Sequence, residues 1–401
     1  MSLKILHTSD WHIGKQLLKT DFHDDMELFF DWLIQVISDE KIDILLMSGD
    51  LFDQANPSQQ ALRQYYLFLK RMVKLNCKVI ITGGNHDAPQ VLNAPKELLE
   101  IIDVTIIGGA PENIADLFIP IEKNNQKVVI AAVPYLRDKD IRNANAGESY
   151  SDKIEQIKNG LANYFENISN FHQENYSDSK LIVMAHLYAQ GAETTESERE
   201  IQIGNQAGIE ATIFGNNTTY VALGHIHKPQ DVGNQNVLYS GSPIPLSFSE
   251  KDDTKRILIL KFNEPDFEIV SKEIPAFRKL ITLKGTLEEV ENKLKNYKKT
   301  SILEDLIELQ IIEKEESIVK IKALEALQSS EMNNGFQIVK AKIEFKNKIK
   351  GTASLLQATD DVSQYQPIDI FKKRVEQDAQ LEEAEIEELM NAFKELIENR
   401  N

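Results

Sequence analysis

The sequence predicts an α/β fold: a mixed-sheet core flanked by helices, then a small α+β unit, then a C-terminal helical hairpin. Three observations predict it. Short apolar runs alternate with longer mixed stretches over residues 1–270. From Pro275 the spacing changes to strand, helix, strand, helix, strand. The last residues, 367–401, carry a helical rather than an alternating apolar pattern.

The core strands are expected at Leu3–Thr8, Ile42–Met47, Lys78–Thr82, Val128–Val133, Leu181–Ala185, Tyr220–Leu223, Val237–Tyr239 and Arg256–Phe262. Each is a bounded apolar run of strand length. Helices are expected at Asp24–Asp39, Ser58–Leu75, Pro95–Ile102 and Ser151–Asn170. The later strands come closer together, which suggests hairpins and hence a mixed sheet. In Ser58–Leu75, the residues Leu62, Tyr65, Tyr66, Leu67, Phe68, Leu69, Met72 and Val73 leave little polar face. A helix apolar nearly all round is buried on two sides. One side meets the sheet; the other meets a second copy of the chain or the rest of its own domain.

Beyond Pro275, strands at Phe277–Lys284, Asp305–Ile312 and Phe336–Phe345 enclose helices at Leu287–Tyr297 and Ile318–Gln328. This unit holds no His or Cys. A polar linker, 346–366, follows. Pro367 suits a first helical position, with Ile368, Phe371 and Val375 on one face. The second tail helix aligns Ile386, Leu389, Met390, Phe393, Leu396 and Ile397. Residues 360–401 carry 12 acidic and 5 basic residues. An acidic amphipathic hairpin after a linker suits partner docking; the alternative is packing back on the small unit.

Composition narrows the function. At 401 residues the chain has room for two or three domains, and 42% hydrophobic residues exclude wholesale disorder. The single cysteine, Cys77, excludes an intrachain disulfide and a Cys-rich zinc site. It reads as a small buried residue at a strand start. No segment approaches the ~18 consecutive apolar residues of a membrane helix. Leu3–His7 reads as a strand rather than a signal peptide, so no membrane association and a cytoplasmic location are expected. The net charge of −18 argues against a basic DNA-coating protein. It leaves DNA open as a substrate, reached through a local patch, metal ions or a partner.

Five pieces carry the chemistry: Asp10-x-His12, Gly49-Asp50-x-x-Asp53, Gly84-Asn85-His86-Asp87, His186, and Gly224-His225-x-His227. Each follows an apolar run, so each belongs at the carboxyl end of a strand, where open α/β sheets place their sites. Asp-x-His alone is close to noise, and a lone His186 is more often structural. Yet five of the eight histidines fall in these pieces. Carboxylate, imidazole and amide oxygen suit hard-to-borderline divalent metals. A carboxylate bridging two ions at ~3.5–4 Å is the arrangement of two-metal phosphoester hydrolysis. The glycines before Asp50, Asn85 and His225 are expected to allow sharp turns.

These motifs resemble those of the calcineurin-like binuclear metallophosphoesterases. The resemblance narrows on His186-Leu-Tyr-Ala-Gln-Gly191, Glu193 to Arg199, Ile203-Gly204, Tyr220-Val-Ala-Leu-Gly-His-Ile-His-Lys-Pro-Gln230 and Tyr239-Ser-Gly-Ser-Pro243. With these segments the chain looks like the SbcD family, the nuclease subunits of bacterial SbcCD complexes. The likeness is strong over 1–250 and holds for the remainder in layout only. It implies a metallophosphoesterase (nuclease) domain at 1–270, a small α+β capping domain at 275–345, the linker 346–366 and a helical docking segment at 367–401.

By the same resemblance, Asp10 and His12 bind a first metal that His227 completes. Asp50 bridges, and Asn85, His186 and His225 bind a second metal. Both ions are expected to be Mn²⁺, although the donor set alone does not choose among Mn²⁺, Fe²⁺ and Zn²⁺. His86 is expected to stabilise the transition state or protonate the leaving oxygen, oriented by Asp87. Where a related archaeal and eukaryotic branch has a histidine three residues after the bridging aspartate, this chain has Asp53. That histidine's role does not transfer; Asp53 is left to orient ligands or cap the next helix.

The implied activity is a DNA nuclease, an exonuclease on duplexes and an endonuclease on single strands or hairpins, serving repair and recombination. The implied partners are DNA, a second copy through the helix at 58–75, and an SbcC-type ATPase on the C-terminal helices. The chain has no Gly-x-x-x-x-Gly-Lys-Ser/Thr loop, so ATP dependence rests with a partner. Lys15, Lys19, Arg137, Lys139, Arg142 and Lys228 are candidate phosphate contacts, although each alone reads more readily as plain solvated surface. The alternative is a phosphatase or cyclic-nucleotide phosphodiesterase on the same core, which has no need of the last two segments. A metal-free scaffold is disfavoured by the complete ligand set.

Overall fold

The computed structural model describes residues 2–142, 148–198, 208–233, 236–263, 266–315, 317–329 and 335–347, isolated positions between 368 and 375, and the helix Glu383–Glu398. The expected linker 346–366 beyond Asn347, the start of the first tail helix, and Ile203-Gly204 lie outside these residues. By its contacts the chain divides into two units. The first is Met1–Thr282 with Tyr297–Glu308 and Glu331–Lys340; the second is Leu283–Asn296 with Leu309–Ser330 and Ala341–Asn401.

The first unit begins with β1 (Leu3–Thr8), a short hairpin of β2 (Gln16–Leu17) and β3 (Thr20–Asp21), α1 (His23–Glu40), β4 (Ile44–Ser48), α2 (Gln59–Met72) and β5 (Lys78–Thr82). Then come α3 (Pro89–Asn93), α4 (Lys96–Glu100), β6 (Val104–Ile107), β7 (Phe118–Lys123), β8 (Gln126–Ala132), α5 (Asp138–Ile141), α6 (Tyr150–Asn175) and β9 (Lys180–His186). The series continues with β10 (Thr218–Gly224), β11 (Gln230–Val232), β12 (Val237–Tyr239), β13 (Arg256–Asn263) and β14 (Asp266–Glu273).

Among the described residues, and apart from the β2-β3 hairpin, these strands form two six-stranded sheets rather than one. Their orders are β14-β13-β1-β4-β5-β6 and β11-β12-β10-β9-β8-β7. In the first, β1, β4, β5 and β6 are parallel and β13 runs antiparallel to β1. In the second, β8, β9, β10 and β12 are parallel and both edge strands antiparallel. The sheets meet through one apolar cluster: Leu3, Ile5, Ile44 and Leu46 from the first pack with Leu181, Val183, Tyr220 and Ala222 from the second. Alternation explains this. Ile5 points between the sheets, while its neighbour Leu6 joins a second cluster with Phe29, Phe30, Leu33, Tyr65 and Phe68 of α1 and α2.

The helices begin and end as local chemistry dictates. Ser58 caps α2 by accepting the Ala61 amide. Ser149 and Asp152 form a capping box on α6. Lys41 takes a left-handed conformation to end α1. Cys77 is buried just before β5, and burial pushes its thiol up to about 12. One face of α2 buries Ala61, Tyr65, Phe68 and Leu69, while Tyr66, Leu67 and Val73 remain exposed.

β15 (Leu280–Gly285), β16 (Asp305–Glu315) and β17 (Phe336–Asn347) form a three-stranded sheet in that order. With α7 (Leu287–Lys295) and α8 (Ile318–Ser329) they keep the expected β-α-β-α-β order. Thr286 and Glu289 make a capping box on α7. In the tail, the rings of Phe371 and Phe393 stack with centroids 3.9 Å apart. Among the described residues, no helix is long and apolar enough to cross a membrane.

His7, on β1, gives a pH-dependent prediction. Its ring is fully buried, with Nδ1 2.8 Å from the Tyr220 hydroxyl and Nε2 donating to the Leu223 carbonyl. Burial, aided by the Arg256 charge, lowers it from 6.5 to about 3. A group depressed on folding contributes stability that is present above its unfolded value and lost as pH falls toward the folded one. As pH falls from 6.5 toward 3 the wild-type chain should therefore lose stability through this residue, on the order of 1 kcal/mol per pH unit. Urea unfolding at pH 7.5 and pH 5 should show that increment in wild type and not in His7→Gln. Equal pH slopes would count against the assignment.

Candidate metal centre

Five strand ends build the site, three from one sheet and two from the other. β1 leads into Asp10 and His12, β4 into Asp50, and β5 into Asn85 and His86. β9 ends on His186, and β10 delivers His225 and His227. Asp10, His12, Asp50, His86, His186, His225 and His227 are all buried. Trp11, between the first two ligands, fixes their loop: its indole packs among Phe29, Phe30 and Phe68 and donates to Thr8 Oγ1 at 3.0 Å.

The backbone is bent sharply at the ligands themselves. Asp10, His12, Asp50 and His225 take positive φ values of 54°, 45°, 53° and 99°. Such conformations cost on the order of 1–3 kcal/mol each and gather at functional sites. The expected role of the preceding glycines is thereby corrected in part. Gly49 does turn, at φ +81°. Gly84 and Gly224 are needed instead for close approach. A Cβ on Gly84 would lie 2.1 Å from Asp50 Oδ1, and one on Gly224 would lie 1.8 Å from the Ser48 carbonyl oxygen.

The donors converge in overlapping groups. Among the described residues, Asp10, His12 and His227 form one group, Asp50, His186 and His225 another, and His12, Asp50 and His86 a third between them. His12 Nε2 is 3.1 Å from His227 Nε2 and 3.6 Å from Asp50 Oδ2. On the other side, His186 Nε2 is 3.3 Å from Asp50 Oδ2 and 2.9 Å from Asn85 Oδ1, which His225 Nδ1 approaches at 3.1 Å. Asp50 Oδ2 thus faces both groups. His86 was not expected among the ligands, yet it stands within their range, its ring edge-on to His12 at 4.6 Å.

These residues fit divalent cations. Ligand atoms about 2.1 Å from one ion stand roughly 3.0–3.4 Å apart, the spacing seen here. His186 donates Nδ1–H to the Ser48 carbonyl, so Nε2 faces the Asn85 carbonyl oxygen and Asp50 Oδ2. Burial opposes charge on the ring, but the Asp50 carboxylate outweighs it and raises it to about 9, so a proton holds that nitrogen between the two oxygens. A divalent cation would take the proton's place among the same donors. Burial likewise opposes charge on Asp50, but His186, His12 and His86 hold it well below the usual range. Burial raises Asp10 and, with His186, depresses His225.

The groups around the ligands were less legible in the sequence. Asp87 does not serve as the expected orienting partner. Its carboxylate accepts the amides of Leu51, Phe52 and Gly84 at 2.9–3.0 Å, tying the β4 and β5 loops together. Burial and the Asp50 charge raise it to about 6. The Nδ1–H of His86 is instead held by the Asp53 carbonyl at 2.8 Å, and its amide donates to Asp50 Oδ1. Ser58, not Asp53, caps α2; Asp53 Oδ1 lies 3.3 Å from His12 Nδ1 and 3.1 Å from Lys15 Nζ. Ser197 lies in the Glu193–Arg199 segment but has no role legible there, and Glu250 and Lys255, also behind His227, lie in polar loops without a spacing pattern.

The candidate phosphate contacts separate. Lys15 lies beside the centre, and Arg137 donates to the Asp87 carbonyl at 3.3 Å. Lys19 and Lys139 are exposed, and Lys228 pairs with Glu193. Arg142 is half-buried and paired with Asp138 and Glu148.

Buried carboxylates and imidazoles at the strand ends of two facing sheets define a metal-dependent phosphoesterase. The family model of the calcineurin-like phosphoesterases matches residues 3–229, and the chain belongs to that family. Within it, the chain is similar to the SbcD component of the SbcCD nuclease of Escherichia coli K12, 28% identical over 310 residues covering 75% of each chain. The corresponding component from Rhodobacter capsulatus is 33% identical over 62% of this chain and 64% of its own length. That of Bacillus subtilis is 29% identical over 64% and 66%.

The approach of Gly84 to Asp50 makes a direct prediction. Gly84→Ala should weaken divalent-metal binding more than about 10-fold while the chain still folds. Calorimetric titration with Mn²⁺, beside a thermal melt, checks it; unchanged affinity would refute the close-contact argument.

Proposed function

We propose that this chain is the metal-dependent nuclease subunit of an SbcCD-type DNA repair and recombination complex. It hydrolyses DNA phosphodiesters, acting as an exonuclease on duplex ends and an endonuclease on single strands or hairpins. The observation that carries the reading is the Asp50 carboxylate, within 3.6 Å of His12 and 3.3 Å of His186. One carboxylate facing two groups of donors is the arrangement of two-ion phosphoester hydrolysis. The names of the three bacterial relatives support DNA as the substrate and an SbcC-type ATPase as the partner.

Two bound ions, proposed as Mn²⁺ at Asp10, His12 and His227 and at Asn85, His186 and His225, would activate a water and neutralise phosphate charge. The chain's own residues do the rest. The Asp53 carbonyl fixes Nδ1 of His86 as the protonated nitrogen, so Nε2 is the position through which the neutral ring exchanges a proton. His86 is proposed to act there on the leaving oxygen or the developing charge. Lys15 is proposed to meet a neighbouring phosphate, with Arg137 and Lys228 as weaker contacts.

Residues 1–270 are read as the nuclease domain, 275–345 as a capping domain, 346–366 as a linker and 367–401 as the docking segment. The exposed Tyr66, Leu67 and Val73 support a homodimer through the helix at 58–75. The exposed Leu389 and Leu396 support an ATPase partner on the tail. A cytoplasmic location completes the proposal.

Degradation of linear duplex and single-stranded DNA by the purified chain with Mn²⁺ tests the activity. Asp50→Asn should lower the rate by at least about 10²-fold. Hydrolysis of small phosphomonoesters far above that of DNA would favour a phosphatase instead. For the dimer, Leu67→Glu should shift the chain toward monomer in light scattering; an unchanged mass would place the interface elsewhere.

A further inference from the structure

We infer that Glu250, outside every motif read from the sequence, is a positioning residue for the metal ligand His227, acting through Ser197 and held by Lys255. The inference rests on the metal-centre reading above. Glu250 is completely buried. Its Oε1 is 3.7 Å from His227 Nδ1 and accepts the Ser197 hydroxyl. The same Ser197 oxygen is 2.6 Å from His227 Nδ1. With the hydroxyl hydrogen directed at the carboxylate, the serine oxygen accepts the Nδ1–H of the ring. That fixes the tautomer and aims the Nε2 lone pair at the position shared with His12, 3.1 Å away.

The other half of the carboxylate anchors the backbone of the same residue. Oε2 accepts Lys255 Nζ at 2.6 Å and the Leu246 amide at 3.2 Å. Lys255 Nζ in turn donates to the His227 carbonyl at 2.9 Å. Glu198 Oε1 accepts the His227 amide at 2.9 Å. Ring and main chain of one ligand are therefore gripped by a single buried ion pair. Such a pair is not needed for stability alone, because two apolar side chains of similar volume commonly serve as well. Its geometry around His227 gives the two charges a function.

The test uses the full-length chain stripped of metal and titrated with Mn²⁺, read by calorimetry and electron paramagnetic resonance. Ser197→Ala cuts the relay and leaves the ion pair whole. The double variant Glu250→Gln/Lys255→Met removes the carboxylate without leaving a lone buried cation. In both, one Mn²⁺ site should weaken ~10–100-fold while the other stays within about 3-fold. The melting temperature of the metal-free chain should stay close to wild type, at least for Ser197→Ala. Wild-type affinity at both sites would overturn the inference, as would equal weakening of both, which signals general loosening. A wild-type chain that binds no Mn²⁺ would overturn the metal reading itself and the inference with it.

Discussion

The site depends on one buried carboxylate held where a carboxylate is costly. Asp50 occupies a left-handed backbone conformation, excluded from water, at the end of a central strand. Burial penalises its charge, and the imidazoles around it more than offset that penalty. The arrangement works only because nothing larger than hydrogen stands at Gly84 and because the His86 amide donates to Oδ1. The ligands, their turns and the glycines are therefore one constraint expressed several times. Gly84, the His86 amide, His12 and His186 all crowd against Asp50.

That constraint explains the two-sheet architecture. A single sheet presents its strand ends in a row, and a row cannot surround a carboxylate. Here β1, β4 and β5 arrive from one sheet and β9 and β10 from the other, so histidines reach Asp50 from opposite sides. The apolar cluster between the sheets sets their separation and so the spacing of the donors. Trp11 does the same work on a smaller scale, anchoring in the core of α1 and α2 the loop that carries Asp10 and His12.

The surrounding shell divides by charge. His12 is backed by Asp53, and His227 by Ser197 and Glu250. His186 and His86 are backed by main-chain carbonyls. At His186, His86 and His227 the backing group is a hydrogen-bond partner, and it governs which ring nitrogen carries hydrogen. Asp87 has a different task, since its two oxygens join the loops after β4 and β5 through three amides.

Much of this was legible in the residues. Strands such as Leu3–Thr8, Lys78–Thr82 and Val237–Tyr239 were bounded correctly because both their faces are buried, leaving an uninterrupted apolar run. The pieces Asp10-x-His12, Asp50, Asn85-His86, His186 and His225-x-His227 stood out because turns at strand ends put consecutive residues to consecutive use. The polar edge strand Asp266–Glu273 went unread, since its pairing with β13 supplies what its own composition does not. The number of sheets was also hidden, because a strand apolar on both faces does not say what covers each face. Asp87, Arg142 and Glu250 show the same limit in side chains: their partners are chosen by the packing of distant loops. The sequence by itself determined most of the core strands, the candidate metal donors and the family chemistry, because those depend on residue type and local spacing. Only the tertiary structure decided which oxygen faces which nitrogen, because that depends on where separate strands end in space.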